Sequence, residues 1–472
     1  MPKNTLKIHK IILPTQPGER QIQIFIKAKH KLLKEPVIQL VFTQEDPIYK
    51  AKAHTLRFKK YRDNPKYLVA TFYISNTLHN VFSTEKRLHL HSDDMPRPSS
   101  FEDETLYLET QLIADTISPE RDQLLDIRHL QFVVPRVMNV ALMGDSYAAG
   151  LGTGHYDLSD PLHDPGAYRS SRSGMHRLMT RKAEEFRINY INVTYAGAQM
   201  LEGNEEKEKF RPKSSLVYKK TSLLKPGSQL AELITQLKCQ PLDFLFLSGG
   251  GNDIYENEKG KSGLEYLVKR MFANLGNVPE RLDVKISRDI KNMEKGYELF
   301  FELLDAYPNL KETKVIISTY PDMTKNEEGI YTNPKRINNH DKDKIFKGYT
   351  KKELKYLYEN VLDPLNRSLI NISHRYPRCY INDVMKENTQ ILYHGMTSNE
   401  PWFNLLRENM KREDEDKNRP GKKEAFHPNF KGQKEIYYKT FKKVFERLTE
   451  NKVIFIEANE QTVTFNFLNA QK

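Results

Sequence analysis

Cysteine is almost missing from this chain: Cys239 and Cys379 are the only two among 472 residues. At most one bridge could form, so a disulfide framework is excluded and two free, buried thiols are the plainer expectation. Tryptophan is scarcer still, and the single Trp402 is expected in the core or in a pocket wall. No uninterrupted apolar run approaches the roughly 20 residues that a membrane-spanning helix needs, so no transmembrane segment is expected. The opening residues Met1-Pro2-Lys3-Asn4-Thr5-Leu6 carry a charge but no apolar stretch or small-residue cleavage site. The expectation is therefore no signal peptide and a cytoplasmic location, unless a non-classical route exports the chain.

What is present is the composition of a globular protein, with 38% hydrophobic and 29% charged residues, 25 Tyr and 23 Phe. Neither a disordered nor a membrane-spanning class fits it. The net charge of +12 could draw the chain to nucleic acid or to an anionic membrane. Basic residues are spread along the sequence and mixed with acids, so a generally solvated basic surface is the plainer reading. No nucleic-acid module is recognisable, and no nucleic-acid partner is expected.

The length exceeds what one core usually supports, so two domains are expected. Up to about residue 135 the chain reads as short alternating β segments, 21–26, 37–42, 67–73 and 106–112, split by Pro, Asp and Asn turns. That pattern suggests an antiparallel β-sandwich. From residue 137 it changes to brief apolar strands separated by helical stretches, the mark of a parallel sheet with covering helices. The expected strands are 137–143, 188–194, 243–247, 314–318 and 379–382. Leu354, Leu357, Tyr358, Val361, Leu365, Leu369 and Ile372 recur at helical spacing, and a second helix is expected over 434–448. The division is thus 1–135 as a β-rich accessory domain, 136–450 as an α/β domain, and 451–472 as a β-like tail that could return to the first. The charged run 407–424 reads as a solvated loop, or as a lid over a neighbouring site.

Chemistry gathers at the loops after those strands, where ligands of open α/β sheets bind. Gly144-Asp145-Ser146-Tyr147 follows the first of them and runs into the glycine-rich 148–154. It lacks the Gly-x-Gly-x-x-Gly and Gly-Lys-Ser/Thr patterns of phosphate loops and the Gly-x-Ser-x-Gly elbow. Taken alone, Ser146 could simply cap a helix. Phe426-His427-Pro428 puts an imidazole on the last loop, where serine chemistry needs a base. Gly250-Gly251-Asn252-Asp253 ends the third strand, and the Asn252 amide can donate to a developing oxyanion. Gly197, after the second strand, lets its N–H approach a ligand closely. Asp145 and Asp253 read as loop-fixing residues. His89-x-His91-x-Asp93 could face a metal from one strand, but a solvated strand end is the plainer reading and no metal is expected.

The order Ser146, Gly197, Asn252, His427 resembles the SGNH hydrolases, also called GDSL lipases and esterases. Gly144–Gly154, Tyr168-Arg169-Ser170, Ser318-Thr319-Tyr320-Pro321-Asp322 and His394-Gly395 with Pro401-Trp402 look most like the bacterial lipase branch. The resemblance covers about 137–448 and implies a three-layer α/β/α, flavodoxin-like fold and ester hydrolysis without metal or cofactor. It implies Ser146 as nucleophile, His427 as base, and an oxyanion hole of the Ser146 and Gly197 N–H groups with the Asn252 side chain. The family usually carries Asp three residues before the histidine. This chain has Glu424 there as the implied third member, and some related lipases use a backbone carbonyl instead. The implied substrate is a lipid acyl ester, with a membrane surface as partner. The alternatives are a carbohydrate O-acetyl ester, or a binding protein that keeps the scaffold without turnover.

Overall fold

The computed structural model describes residues 8–13, 21–27, 37–43, 52–60, 62, 67–73, 104–114, 123–134, 136–156, 167–183, 186–201, 215–217, 228–254, 263–273, 282–332, 350–404 and 424–449. These fall into two compact units. One comprises residues up to Met138 with Arg181–Asn189, the other Asn139–Thr180 and Tyr190–Thr449.

The first unit holds β1 (Ile8–Ile12), β2 (Gln21–Lys27), β3 (Val37–Thr43), β4 (Lys52–Arg57), β5 (Lys59–Lys60), β6 (Tyr67–Tyr73), β7 (Glu104–Ala114) and β8 (Gln123–Val134). They form two four-stranded sheets, ordered β1-β2-β6-β5 and β4-β3-β7-β8. Every pairing is antiparallel. In β2 the alternation is visible in burial: Ile22, Ile24 and Ile26 are fully buried while Gln21 and Gln23 are half-buried. The four expected strands are present, and β1, β4, β5 and β8 add to them. The His89-x-His91-x-Asp93 segment, the 407–423 part of the charged run and the tail 451–472 lie outside the described residues.

The second sheet system contains β9 (Met138–Gly144), β10 (Ile188–Asn192), β11 (Gln199–Leu201), β12 (Ser215–Val217), β13 (Phe244–Ser248), β14 (Lys314–Ser318) and β15 (Cys379–Asn382). Five of these make one sheet in the order β10-β9-β13-β14-β15, and β9, β13, β14 and β15 run parallel. Numbered along the chain that is 2-1-3-4-5, a doubly wound order whose switch point lies between the first and third strands. All five residues of β13 are buried. Its Phe244 and Phe246 meet Phe445 and Phe441 of the helix Lys439–Thr449 at ring separations of 5.2 and 5.1 Å, and Leu245 and Leu247 are fully buried on the opposite face. The sheet is therefore covered on both sides, which is why its strands read as unbroken apolar runs.

The expected helix over 354–372 is a continuous helical run from Lys351–Leu357 through a π-turn at Tyr358–Leu362 to Asp363–Arg375. Thr350 and Glu353 form a capping box at its start, each side chain accepting the other's backbone N–H. A second π-turn, Gln433–Tyr438, leads into the helix Lys439–Thr449. The 25-residue helix Leu282–Ala306 was not among the expected elements. Its Ile286, Ile290, Met293, Tyr297 and Phe300 lie buried on one stripe.

Candidate active site

Gly144 fixes where the site begins. Its φ is +137°, and a Cβ there would stand 2.1 Å from the Ser248 carbonyl of the neighbouring strand, so only glycine fits. Gln229 then holds this residue on both sides, accepting the Gly144 N–H at 2.8 Å and donating to its carbonyl at 2.9 Å. The turn that follows delivers Ser146 as the first residue of the short helix Ser146–Ala149, with Asp145 as its cap accepting from the Tyr147 N–H.

His427 arrives from the far end of the chain. Residues 426–428 run beside 403–404: Asn404 N–H donates to the His427 carbonyl and Phe426 N–H to the Asn404 carbonyl, both at 2.9 Å. Phe426 has φ +66°, an uncommon conformation for a side chain of its size that turns the next residue inward. Its carbonyl takes the Tyr147 hydroxyl at 3.0 Å, while Gln433 donates to the Tyr147 carbonyl at 2.9 Å. Residues either side of the histidine thus pin it against the serine's own helix.

The outcome is a close pair: His427 Nε2 stands 2.7 Å from Ser146 Oγ, with both side chains buried. His427 Nδ1 lies 3.0 Å from the Ala425 carbonyl. A carbonyl oxygen can only accept, so Nδ1 carries the hydrogen and Nε2 faces the serine with its lone pair. The fully buried Glu424 accepts the Tyr156 hydroxyl at 2.6 Å. Tyr156 in turn accepts N–H groups from Gly152 at 2.9 Å and Gly154 at 3.3 Å, which ties Glu424 to the glycine-rich loop. Burial and the Glu424 charge both raise the Tyr156 phenol above its ordinary range, and the two glycine N–H groups oppose them.

Gly197 and Asn252 line the same cavity as Ser146 and His427, a space of about 270 Å³. Gly197 has φ +85° between the hydrogen-bonded Ala196 and Ala198, and neither its own N–H nor that of Ser146 is taken by a hydrogen bond among the described residues. Asn252 Nδ2 donates to the Ala198 carbonyl at 3.0 Å, which orients the amide and leaves its second hydrogen for the cavity. Asp253 accepts the Met200 N–H at 3.0 Å, a loop-fixing contact as expected. The remaining walls are mostly apolar and aromatic, among them Leu151, Tyr168, Leu264, Val268, Met323 and Phe426.

Asp145 reaches further than a cap. Its carboxylate accepts from Ser248 Oγ at 3.3 Å and from the Tyr320 hydroxyl, and Tyr320 itself accepts the Gly251 N–H at 2.8 Å. Burial pushes the Asp145 carboxyl up to about 6 against those donors. Burial and the nearby Asp145 raise the Tyr320 phenol well above its usual range.

Tyr156, Gln229 and Gln433 were not foreseen from the sequence, and Tyr320 was noted only within a family-like segment. Trp402 is buried, as expected. No group of three or more His, Cys, Asp or Glu arranged to hold a metal occurs among the described residues. No described helix is long and apolar enough to cross a membrane.

No family model matches the chain, and no curated protein matches it. Among solved structures it is similar to a carbohydrate esterase whose active site displays divergent catalytic and non-catalytic binding functions. The identity is 9% over 66% of this chain and 77% of that one, at a TM-score of 0.19. A Bifidobacterium dentium beta-glucuronidase is 9% identical over 80% of this chain and 61% of its own, with a TM-score of 0.18. A Paenibacillus cycloisomaltooligosaccharide glucanotransferase is 6% identical over 71% and 57%, with a TM-score of 0.17. The chain therefore spans less than two thirds of the latter two, and likenesses this low carry no argument about fold or activity.

Proposed function

We propose that this chain is a serine-dependent carboxylic ester hydrolase of the SGNH kind. The observation that carries the reading is the 2.7 Å contact between Ser146 Oγ and His427 Nε2 in the cavity that Gly197 and Asn252 also line. His427 Nε2 takes the proton as Ser146 Oγ attacks the ester carbonyl. The oxyanion is held by the N–H groups of Ser146 and Gly197 and the free hydrogen of the Asn252 amide. The imidazolium gives its proton to the departing alcohol, leaving the acyl group on Ser146. Water, deprotonated by His427, then attacks the acyl carbon, and the acid leaves as Ser146 recovers its proton. Throughout, the Ala425 carbonyl keeps the hydrogen of Nδ1 in place.

The reading carries a three-layer, flavodoxin-like domain over 136–450, supported by the 2-1-3-4-5 strand order. It also carries a β-sandwich accessory domain over 1–135, supported by the two antiparallel sheets. The favoured substrate is an ester with an apolar acyl group, lipid-like, because Leu151, Leu264, Val268 and Met323 line the cavity beside the serine. A panel of acyl esters from acetyl to long-chain, with acetylated sugars alongside, tests the reading. Hydrolysis should depend on both Ser146 and His427 and favour apolar acyl groups. Turnover that survives Ser146→Ala would remove the mechanism, and strong selectivity for acetylated sugars would remove the lipid substrate.

A further inference from the structure

Two of the three proposed oxyanion donors stand after different strands of the sheet: Ser146 follows β9, and Asn252 follows β13. Something must hold them at the spacing of one oxygen atom. The Gly144–Ser248 strand register does part of this, since the Asp145 N–H donates to the Ser248 carbonyl at 2.9 Å. Beyond that point the chains diverge, Asp145 into a helix and Gly249 into a turn, and backbone pairing ends.

Tyr320, from the loop after β14, sits where the pairing stops. Its hydroxyl donates to Asp145 Oδ2 and accepts the Gly251 N–H at 2.8 Å. One oxygen atom therefore joins the residue before the nucleophile to the residue before the oxyanion amide. The side chain is 1% exposed, so water does not compete for either bond. Its orientation is set independently: the Tyr320 N–H donates to Asn366 Oδ1, and Asn366 Nδ2 donates to the Tyr320 carbonyl, both at 2.8 Å. The Tyr147 ring packs edge-on against its ring at 5.4 Å.

We propose that Tyr320 is a positioning residue for this site, its hydroxyl setting the distance between the Ser146 N–H and the Asn252 amide and so the fit of the oxyanion hole to the transition state. The inference rests on the ester-hydrolase reading above. A hole out of register still admits the substrate but grips the tetrahedral species less well, so the loss belongs in kcat rather than KM. Tyr320→Phe keeps the ring and deletes only the bridging oxygen.

The experiment measures kcat and KM on a soluble ester, and Ki for an alkylboronic acid, whose tetrahedral serine adduct places an oxygen in the hole. Wild type, Tyr320→Phe, Asp145→Asn and Ser146→Ala are compared, with unfolding monitored to identify a fold that has failed. Tyr320→Phe should lower kcat by about tenfold to a hundredfold, below the full loss of one oxyanion donor. The boronic acid Ki should rise in parallel while KM changes less than about threefold. Asp145→Asn leaves one oxygen where two now accept, from the Tyr147 N–H and from the phenol, so it should lower kcat at least as much as Tyr320→Phe. Full kcat in folded Tyr320→Phe, or a loss carried by KM with the boronic acid Ki unchanged, overturns the inference while the hydrolase reading stands. A wild type with no hydrolysis beyond Ser146→Ala overturns both.

Discussion

Replacing Glu424 with Gln separates two ways of holding the His427 imidazole. Where a carboxylate accepts the Nδ1 hydrogen, its amide analogue selects the wrong tautomer and turnover falls by about 10⁴. Here Nδ1 stands 3.0 Å from the Ala425 carbonyl, a backbone atom that no side-chain substitution removes. The amide of the Glu424→Gln variant would still offer an oxygen to the Tyr156 hydroxyl, which now reaches Glu424 at 2.6 Å. At that bond the charge assistance is lost, about 1 kcal/mol, or roughly fivefold if it passes wholly to the transition state. Glu424→Gln should therefore keep kcat/KM within about tenfold of wild type on a chromogenic ester, while His427→Ala loses about 10⁴ or more. Tyr156→Phe should mimic the small loss, because it cuts the same link to the Gly152 and Gly154 N–H groups. A fall of 10³ or more in Glu424→Gln, with the fold intact, would assign the orienting role to Glu424 and refute the carbonyl account.

The Asn252 amide should be worth about 10² to 10³ in kcat with little change in KM, and an Asn252→Ala effect confined to KM would make it a binding group instead. Asp145, pushed up to about 6 by burial, retains in the folded chain a proton that the unfolded chain releases near pH 4. That contribution is complete below about pH 4 and is lost as pH rises through about 6, on the order of 3 kcal/mol, so denaturant midpoints of Asp145→Asn should show a flatter pH dependence over that window. An unchanged slope would contradict it. For a lipid-like substrate and a +12 chain, hydrolysis on anionic vesicles should fall as salt rises, because attraction of roughly 1 kcal/mol per nearby Lys or Arg is screened within about 10 Å at 0.1 M. A soluble neutral ester should show no such fall, and salt-insensitive vesicle hydrolysis would count against capture at an anionic surface.

Strands buried on both faces and strands with clean alternation were legible in the sequence: β6, β14 and β15 lie at the expected residues, and β2, β3, β9 and β13 within one or two. Strand β8 was hidden because the adjacent polar Arg128 and His129 interrupt the period of two, and the register shift against β7 between Leu112 and Ile113 leaves an extra residue near its start. The helix Leu282–Ala306 carried a readable stripe at 286, 290, 293, 297 and 300, and that spacing would have found it. In the site, Ser146, Gly197, Asn252 and His427 could be read because each follows an apolar strand or precedes a helix, with glycine marking close approach. Their supports could not. Tyr320 meets Asp145 across 175 residues, Glu424 meets Tyr156 across 268, and Gln433 meets Tyr147 across 286. A backbone acceptor such as the Ala425 carbonyl has no side-chain signature at all, and only the turn at Phe426 brings it under the imidazole.

The proposed mechanism makes Ser146 a nucleophile activated by His427. Labelling with a fluorophosphonate, followed by peptide mass mapping, tests it whatever the substrate is. One adduct is expected, on the peptide carrying Ser146, absent in Ser146→Ala and formed far more slowly in His427→Ala. Ester hydrolysis by an unlabelled wild type, or labelling that persists in Ser146→Ala, would contradict it.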